Sequence, residues 1–581
     1  MYLRKILLPR TVNRLASVEV ETKFTRASLR LTSVRTKPAP ESRSGTTVKW
    51  LLTDDPDALF AETYCTSQGS NSKFVYTKEI ISLNIGQAGV QLSNAAWELF
   101  CIEHGIKADG SMHNMVENGE SGQDTFFRLS ETTYVPRAVS VDFEPTVIDE
   151  VRLGAYRHLF NPEQLISGFE DCASNFARGN YTVGKLFLKP VMKQIIKQIE
   201  NCDSLQGFCI LNSFDGGTGA GFTSTLQEEL SMEFGKKPKF QIGIYPSRRM
   251  ATSTVYPYNA ILHTHTTMSH TNLNTLMDNE AIYDICANKL GVDRPTYSNI
   301  NRIIVQLFSS LTISVRSRNL LNSDLDQLCT NLVPYPRIHF PLSHLSPLLN
   351  ACKSSKESTG IGDMTRDIFD AENQLVQCNT ANGRFMACVL QFRGPIPPTS
   401  INKTIFELKR RTDINFVDWC PTGFKIGISS MPSVSPPGSA LGEMKRTLAM
   451  LSNSTAIVET WSELLKKFDL LFSKRSFVHW FVSEGLEEGE FLEAYQNIKS
   501  LENDYEEISM STQEIMSQDK SMKSDPKVII SSEPTSKVDD SKSTVIQDKS
   551  KSRKSSSLSK SVKSGNKSQN NLSFHTEIIN Y

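Results

Sequence analysis

The chain has 581 residues, with 63 Lys+Arg against 63 Asp+Glu, 39% hydrophobic residues and 22% charged residues. That excludes a collagen-like or wholly disordered chain and gives no whole-chain charge argument for nucleic-acid binding. No run approaches the roughly 18 apolar residues of a membrane span, and the 11 cysteines fall in no CxxC pair, which reads as core-type thiols of an intracellular protein.

The neutral total is a sum of unlike parts. Residues 1–77 carry 12 basic and 7 acidic groups, residues 78–508 carry 39 and 48, and residues 509–581 carry 12 and 8. The first 40 residues are Arg-rich and close on Lys37-Pro38-Ala39-Pro40. Their composition suits an organelle presequence, and the plainer reading, an unstructured extension or a wrongly joined upstream exon, is preferred. The tail has Ser at 20 of its 73 positions and a basic run from Lys549 to Lys567. It holds too little apolar surface to offset ordering entropy, so it is expected to be disordered. With no aromatic residues interleaved, the run is read as a solvated tail rather than a nucleic-acid or membrane binder.

The acidic body opens with an apolar strand, Ile80 to Ile85, then Gly86-Gln87-Ala88-Gly89 and a helix from Val90. This strand-turn-helix unit aims helix N-terminal N–H groups at an anion. A second strand, Val139 to Asp142, ends at Asp142-Phe143-Glu144-Pro145, where two carboxylates suit a hard cation or simply a solvated loop. The third unit is more specific. The strand Gly207 to Leu211 runs into Asn212-Ser213-Phe214-Asp215-Gly216-Gly217-Thr218-Gly219-Ala220-Gly221 and then a helix to about Phe234. Glycines there let backbone wrap a phosphate, and Ser213 and Thr218 add hydroxyls. No GxxxxGK[ST] is present, so this is not a common P-loop. The alternation predicts a parallel sheet with its ligand at the strand C-terminal ends. His263, His265 and His270 are read as polar helix residues rather than metal ligands.

The Gly-rich segment resembles the GGGTGSG signature of the tubulin/FtsZ family. The resemblance extends from about Lys78 to Ile508 through Asn279-Glu280-Ala281-Ile282-Tyr283, Asn331 to Arg337 and Phe416 to Lys425. It is specifically to the α-tubulin branch, in the insert near Val434 to Leu441, the Glu487 to Phe491 helix and the terminal Tyr581. It implies an α/β fold in which a Rossmann-like GTP-binding domain (78–278) is followed by an α/β intermediate domain (279–454) and a C-terminal helical hairpin (455–508). Extensions at 1–77 and 509–581 flank them.

The resemblance also implies a set of GTP contacts: Gln87, Glu144, Asp171, Ser213, Gly216, Gly217, Thr218, Gly219, Thr252, Asn279, Tyr297 and Asn301. Glu144 is the expected Mg2+-side carboxylate, Tyr297 the guanine stacker, and Asn279 and Asn301 the readers of the guanine edge. Four positions depart from the family. Asp215 replaces a loop glycine and is expected to repel phosphates by ~3 kcal/mol at 6 Å. Ser174 replaces an Asn, Tyr256 a ribose-binding Glu, and Ala220 a Ser.

In the family a helix Glu acts in trans on the β-tubulin nucleotide. Gln327 stands at that position, and an amide is a poor general base beside a carboxylate. Weak or no hydrolysis is expected there. Arg318-Asn319 and Ser355-Lys356 depart at interface segments, and the Met112 to Thr125 loop is short and free of Lys. The implied function is a structural subunit of microtubules in the cytoplasm and cytoskeleton, binding GTP non-exchangeably and pairing with β-tubulin. The Glu487–Glu493 face is left for motors and associated proteins, and neither nucleic acid nor membrane is a partner. The alternative is a non-polymerising, sequestering relative.

Overall fold

Strand β1 (Glu79–Ile85) is buried along its whole length, as an apolar run must be in a parallel sheet covered on both faces. The computed structural model describes residues 78–112, 122–317, 324–354, 359–411, 414–420 and 423–510. The N-terminal extension, the basic tail, Arg318-Asn319, Ser355-Lys356 and most of the Met112 to Thr125 loop lie outside the described residues.

After β1 come α1 (Gly86–His104), the strands β2 (Phe127–Ser130), β3 (Thr133–Pro136) and β4 (Ala138–Asp142), then α2 (Pro145–Leu153), β5 (Leu165–Ser167) and α3 (Val183–Glu200). Next are β6 (Leu205–Ser213), α4 (Thr223–Phe234), β7 (Lys239–Tyr245), α5 (Tyr256–Thr267), β8 (Leu273–Asp278) and α6 (Asn279–Asn288). β2 and β3 form a small antiparallel hairpin. The other six strands make one sheet in the order β5-β4-β1-β6-β7-β8, every pair parallel. The order runs outward from β1 in one direction and from β6 in the other. The crevice beyond the carboxyl ends of β1 and β6 is therefore the topological switch point, where such sheets hold ligands.

Helix α7 (Tyr297–Arg316) follows, and every residue from Ile303 to Arg316 is buried. A helix covered on all sides lies inside a large core. It packs against α1 on one side and strands of a second sheet on the other. Its hydroxyls are satisfied locally: Ser310 donates to the Gln306 carbonyl and Thr312 to that of Phe308. Then come α8 (Leu325–Leu332), β9 (Leu342–Ser346), α9 (Ala351–Ser354), α10 (Ile361–Asp367), β10 (Phe385–Arg393), α11 (Pro398–Leu408), β11 (Phe424–Ser429) and β12 (Thr447–Ser454). The second sheet is mixed, in the order β11-β10-β12-β9.

At the far end of α1 and α7 a buried charge cluster joins the two sheets. Glu103 of α1 accepts from Arg316 of α7 at 2.7 Å and from Arg393 of β10 at 2.9 Å. Ser309 donates to both Glu103 carboxylate oxygens. Side-chain exposure is 1% or less in all three charged residues. Burial would raise the Glu103 pKa, but Arg316, Arg393 and the Ser309 hydroxyl outweigh it and bring it to about 2.

The chain ends its described course in α12 (Val458–Phe472), the short α13 (Val478–Ser483) and α14 (Glu488–Ser509), three helices where the sequence suggested a hairpin of two. α14 begins with a capping box between Glu487 and Glu490, which satisfies two orphan N–H groups. α12 and α14 pack on α5, where Phe468 and Phe491 meet the Tyr258 ring, while Trp461 of α12 packs on Tyr245 and Phe340. The α5 histidines act as polar helix residues. His263 hydrogen-bonds with Ser224, Gln241 and the Ala220 carbonyl, and His265 with Asn497. Among the described residues no group of three or more His, Cys, Asp and Glu is arranged to hold a metal ion.

Candidate functional site

Two uncapped helical N-termini face each other across the switch point. α1 starts directly after Ile85, with no side-chain cap. The turn Gly217–Phe222 that leads into α4 starts after Gly216, also without one. Each leaves backbone N–H groups without intrahelical partners, a ready site for anions. Glycine is required for two different reasons. Gly86 has φ +73, which other residues rarely adopt, and sits against the Gly219 backbone. Gly217 has ordinary dihedrals, but a Cβ there would lie 2.5 Å from Cys172 Cβ and 2.8 Å from the Asn175 carbonyl. The second glycine therefore serves close approach of two loops, not an unusual turn.

Between these termini lies a cavity of about 460 Å³. All twelve residues of the expected set line it: Gln87, Glu144, Asp171, Ser213, Gly216, Gly217, Thr218, Gly219, Thr252, Asn279, Tyr297 and Asn301. They come from the ends of β1, β4, β6, β7 and β8, from the loop after β5, and from the first two turns of α7. Asn279 opens α6 with its Oδ1 buried and without a hydrogen-bond partner among the described residues. Beside it stands the Tyr297 ring, on a residue 55% exposed. A buried acceptor left over beside an open aromatic face suits a flat heterocycle with N–H donors on its edge.

The charge in the cavity is of one sign. Asp142, Glu144, Asp171 and Asp215 line it, and among the described lining residues there is no Lys or Arg. Burial, with Asp171 and Glu144 nearby, pushes the Asp142 carboxyl up to about 7, against two backbone N–H bonds that oppose it. Glu144 precedes α2 and accepts from the Thr146 hydroxyl at 2.7 Å. A polyanion held here would meet helix N-termini but no side-chain cation of the described lining residues.

The departures from the family pattern have visible effects. Asp215 Oδ2 accepts from the Thr252 hydroxyl at 2.7 Å, so the carboxylate is tied to the β7–α5 loop. Burial raises its pKa, and the Thr252 hydroxyl with the Ser253 and Thr252 N–H groups opposes this. Ser174 has φ 53, following Ala173 at φ 48, in the left-handed region that Asn tolerates better than Ser. Tyr256 does not line the cavity; Lys467 Nζ sits 5.3 Å from its ring centroid. Ala220 is buried in the turn, and its carbonyl accepts from Ser224.

Gln327 stands elsewhere. α8 packs at the amino ends of the parallel strands: Leu325 lies beneath Gly207 at the start of β6, and Lys78, just before β1, pairs with Asp324 at 2.9 Å. The cavity lies at the carboxyl ends, about 20 Å away along β6. Gln327 is half-buried, while its neighbour Asp326 is exposed. Sequence reading also passed over Arg248 and Arg249 on the cavity-side loop. Arg248 pairs with Glu463 at 2.9 Å, and Arg249 lies 3.6 Å from Glu280; the adjacent basic pair in an otherwise uncharged loop was the available signal.

Comparison with known proteins agrees with this arrangement. Residues 79–287 match the GTPase domain of the Tubulin/FtsZ family, and residues 336–466 match the tubulin C-terminal domain. The chain is 51% identical over 438 residues to the tubulin alpha-2 chain of Caenorhabditis elegans, a match spanning 75% of this chain and 98% of that one. The parallel sheet with its switch-point cavity, the two matched domains and this identity show that the chain belongs to the tubulin family, as an α-tubulin-like member.

Proposed function

We propose that this chain is an α-tubulin-like subunit of cytoskeletal microtubules that holds GTP with Mg2+ in the switch-point cavity, without exchange, and pairs with β-tubulin. The observation that carries the reading is the convergence of all twelve expected contacts on one cavity between two uncapped helical N-termini. Asn279 and Asn301 meet the guanine edge and Tyr297 its face, while the Gly217–Gly219 turn and the first residues of α1 take the phosphates. Glu144 would ligate Mg2+, whose charge would offset the phosphates where no Lys or Arg lines the cavity among the described residues.

The opposite placement of Gln327 supports a role in trans. A side chain at the amino ends of the strands cannot reach its own cavity, but in head-to-tail stacking it meets the cavity of the next subunit. Such open contacts make filaments. Gln327 can orient a water through its amide but cannot take the proton as a carboxylate would. Hydrolysis in the capped β-tubulin is therefore slowed. The test is nucleotide extraction from the full chain co-purified with β-tubulin, followed by GTP turnover on assembly. Bound GTP and slow turnover, restored by Gln327→Glu, support the reading. Turnover at the rate of a Glu-bearing α-tubulin removes the catalytic part, and absence of bound guanine nucleotide removes the site.

A further inference from the structure

Asp215 is the one carboxylate that this chain adds to the glycine turn, and the geometry gives it a use. Its backbone cannot withdraw. Asn259 Nδ2 donates to the carbonyl of Asp215 at 2.6 Å and to that of Ser174 at 2.7 Å. Asn259 Oδ1 accepts from the Phe176 N–H. One amide thus holds two cavity loops in place. The Asp215 side chain is held as well, through Oδ2 and the Thr252 hydroxyl. Its other oxygen, Oδ1, is buried and has no hydrogen-bond partner among the described residues, although the residue lines the cavity.

An unpartnered buried carboxylate oxygen is costly unless a donor meets it. In a nucleoside triphosphate the phosphates offer only acceptors. The donors are base N–H groups and ribose hydroxyls. Sheet order separates the two. The phosphate-facing termini follow β1 and β6, and Asn279, with its own orphan acceptor, follows β8 beside the start of α7. The Asp215–Thr252 pair joins the loops after β6 and β7, between those two ends. The sugar is what lies between base and phosphates, and carboxylates accept hydrogen bonds from ribose hydroxyls in other nucleotide-binding sheets.

We propose that Asp215 is the ribose-recognising residue of this cavity, anchored by Thr252 and accepting from the sugar hydroxyls through Oδ1. This rests on the nucleotide-binding reading above and changes the meaning of the substitution. The carboxylate missing at Tyr256, whose ring is turned to Lys467, is supplied from the glycine turn. Asp215 then selects ribonucleotides instead of repelling phosphates.

The test titrates the full chain, stripped of nucleotide, with GTP and with 2′,3′-dideoxy-GTP at fixed Mg2+ by calorimetry. A hydrogen bond to a charged acceptor predicts about tenfold weaker binding of the dideoxy nucleotide to the unaltered chain. In Asp215→Gly the two affinities should come within about twofold. Asp215→Asn keeps the side-chain shape, guards against a folding defect and should retain about threefold preference. Equal affinities in the unaltered chain, or a preference that survives Asp215→Gly, overturn this inference while leaving the nucleotide site standing. Failure of the unaltered chain to bind GTP at all overturns both.

Discussion

Glu103→Gln is the most informative perturbation of the fold. It removes the carboxylate that pairs with two fully buried guanidinium groups. Two routes give its magnitude. The Glu103 pKa of about 2 against an ordinary 4.5 corresponds to ~3 kcal/mol at ~1.4 kcal/mol per unit. Breaking one side of a buried ion pair independently costs about 3–5 kcal/mol. Because the folded pKa is depressed, this contribution is fully present above about pH 4.5 and is lost as pH falls toward 2. Measurement at pH 7 therefore reads all of it. If some 430 residues unfold together, the unfolding entropy is ~0.9 kcal/mol/K and the melting temperature falls by roughly 3–6 °C. Differential scanning fluorimetry of the full chain measures this. A second variant, Arg393→Gln, should cost less in the Glu103→Gln background than alone, since it then removes an uncompensated charge. A drop below 1 °C for Glu103→Gln, or simple additivity of the two changes, would refute the reasoning.

Four other outcomes are expected. Burial lowers the pKa of His104 and His344 to about 3 and of His263 and His339 to about 4, with Arg316 adding to the effect at His104. Each loses stability as pH falls below the unfolded value near 6.5, at up to ~1.4 kcal/mol per pH unit, so circular dichroism should show cooperative acid unfolding between about pH 6 and 4; a melting temperature flat across that window would contradict the assignment. Ser174→Asn relieves left-handed strain of about 1 kcal/mol in the folded chain and should raise the melting temperature by about 1 °C in scanning fluorimetry, whereas an unchanged or lower value would mean that the Ser174 backbone carries no such strain. Gly86→Ala forces φ +73 on a residue with a Cβ against Gly219; nucleotide retention through gel filtration should fall at least tenfold. Gln327→Glu should speed GTP turnover in assembled heterodimers without altering the nucleotide content of this chain, since the side chain lies about 20 Å from its own cavity.

The two glycine turns were legible in the residues themselves, because each follows a strand directly and a parallel sheet brings strand carboxyl ends together whatever their spacing in the chain. Asp171, Thr252, Asn279, Tyr297 and Asn301 entered only through the resemblance to the tubulin/FtsZ family. Orientation was not legible. The charge of Asp215 read as repulsion, because nothing local to residue 215 announces that Thr252 ties one oxygen and Asn259 fixes the backbone. The Glu103 cluster was invisible for a similar reason. Its three charged members, on α1, α7 and β10, look like surface residues one at a time, and only tertiary packing shows that they are buried together. The left-handed strain at Ser174 likewise needed the backbone.

The placement of α8 and the cavity on opposite rims of one sheet has a consequence for any polymer these subunits enter. A building block with a socket on one rim and a plug on the other is a vector, and a row of such vectors has two unlike ends. At one end the last socket is open to solvent; at the other the last plug is. Under the head-to-tail stacking proposed above, a chain bearing Gln327 would have no influence on turnover until its plug is seated in a neighbour. The proposed effect would then fall on that single neighbour, so diluting such chains among Glu-bearing ones should leave slow-turnover contacts in proportion to their number and nowhere else.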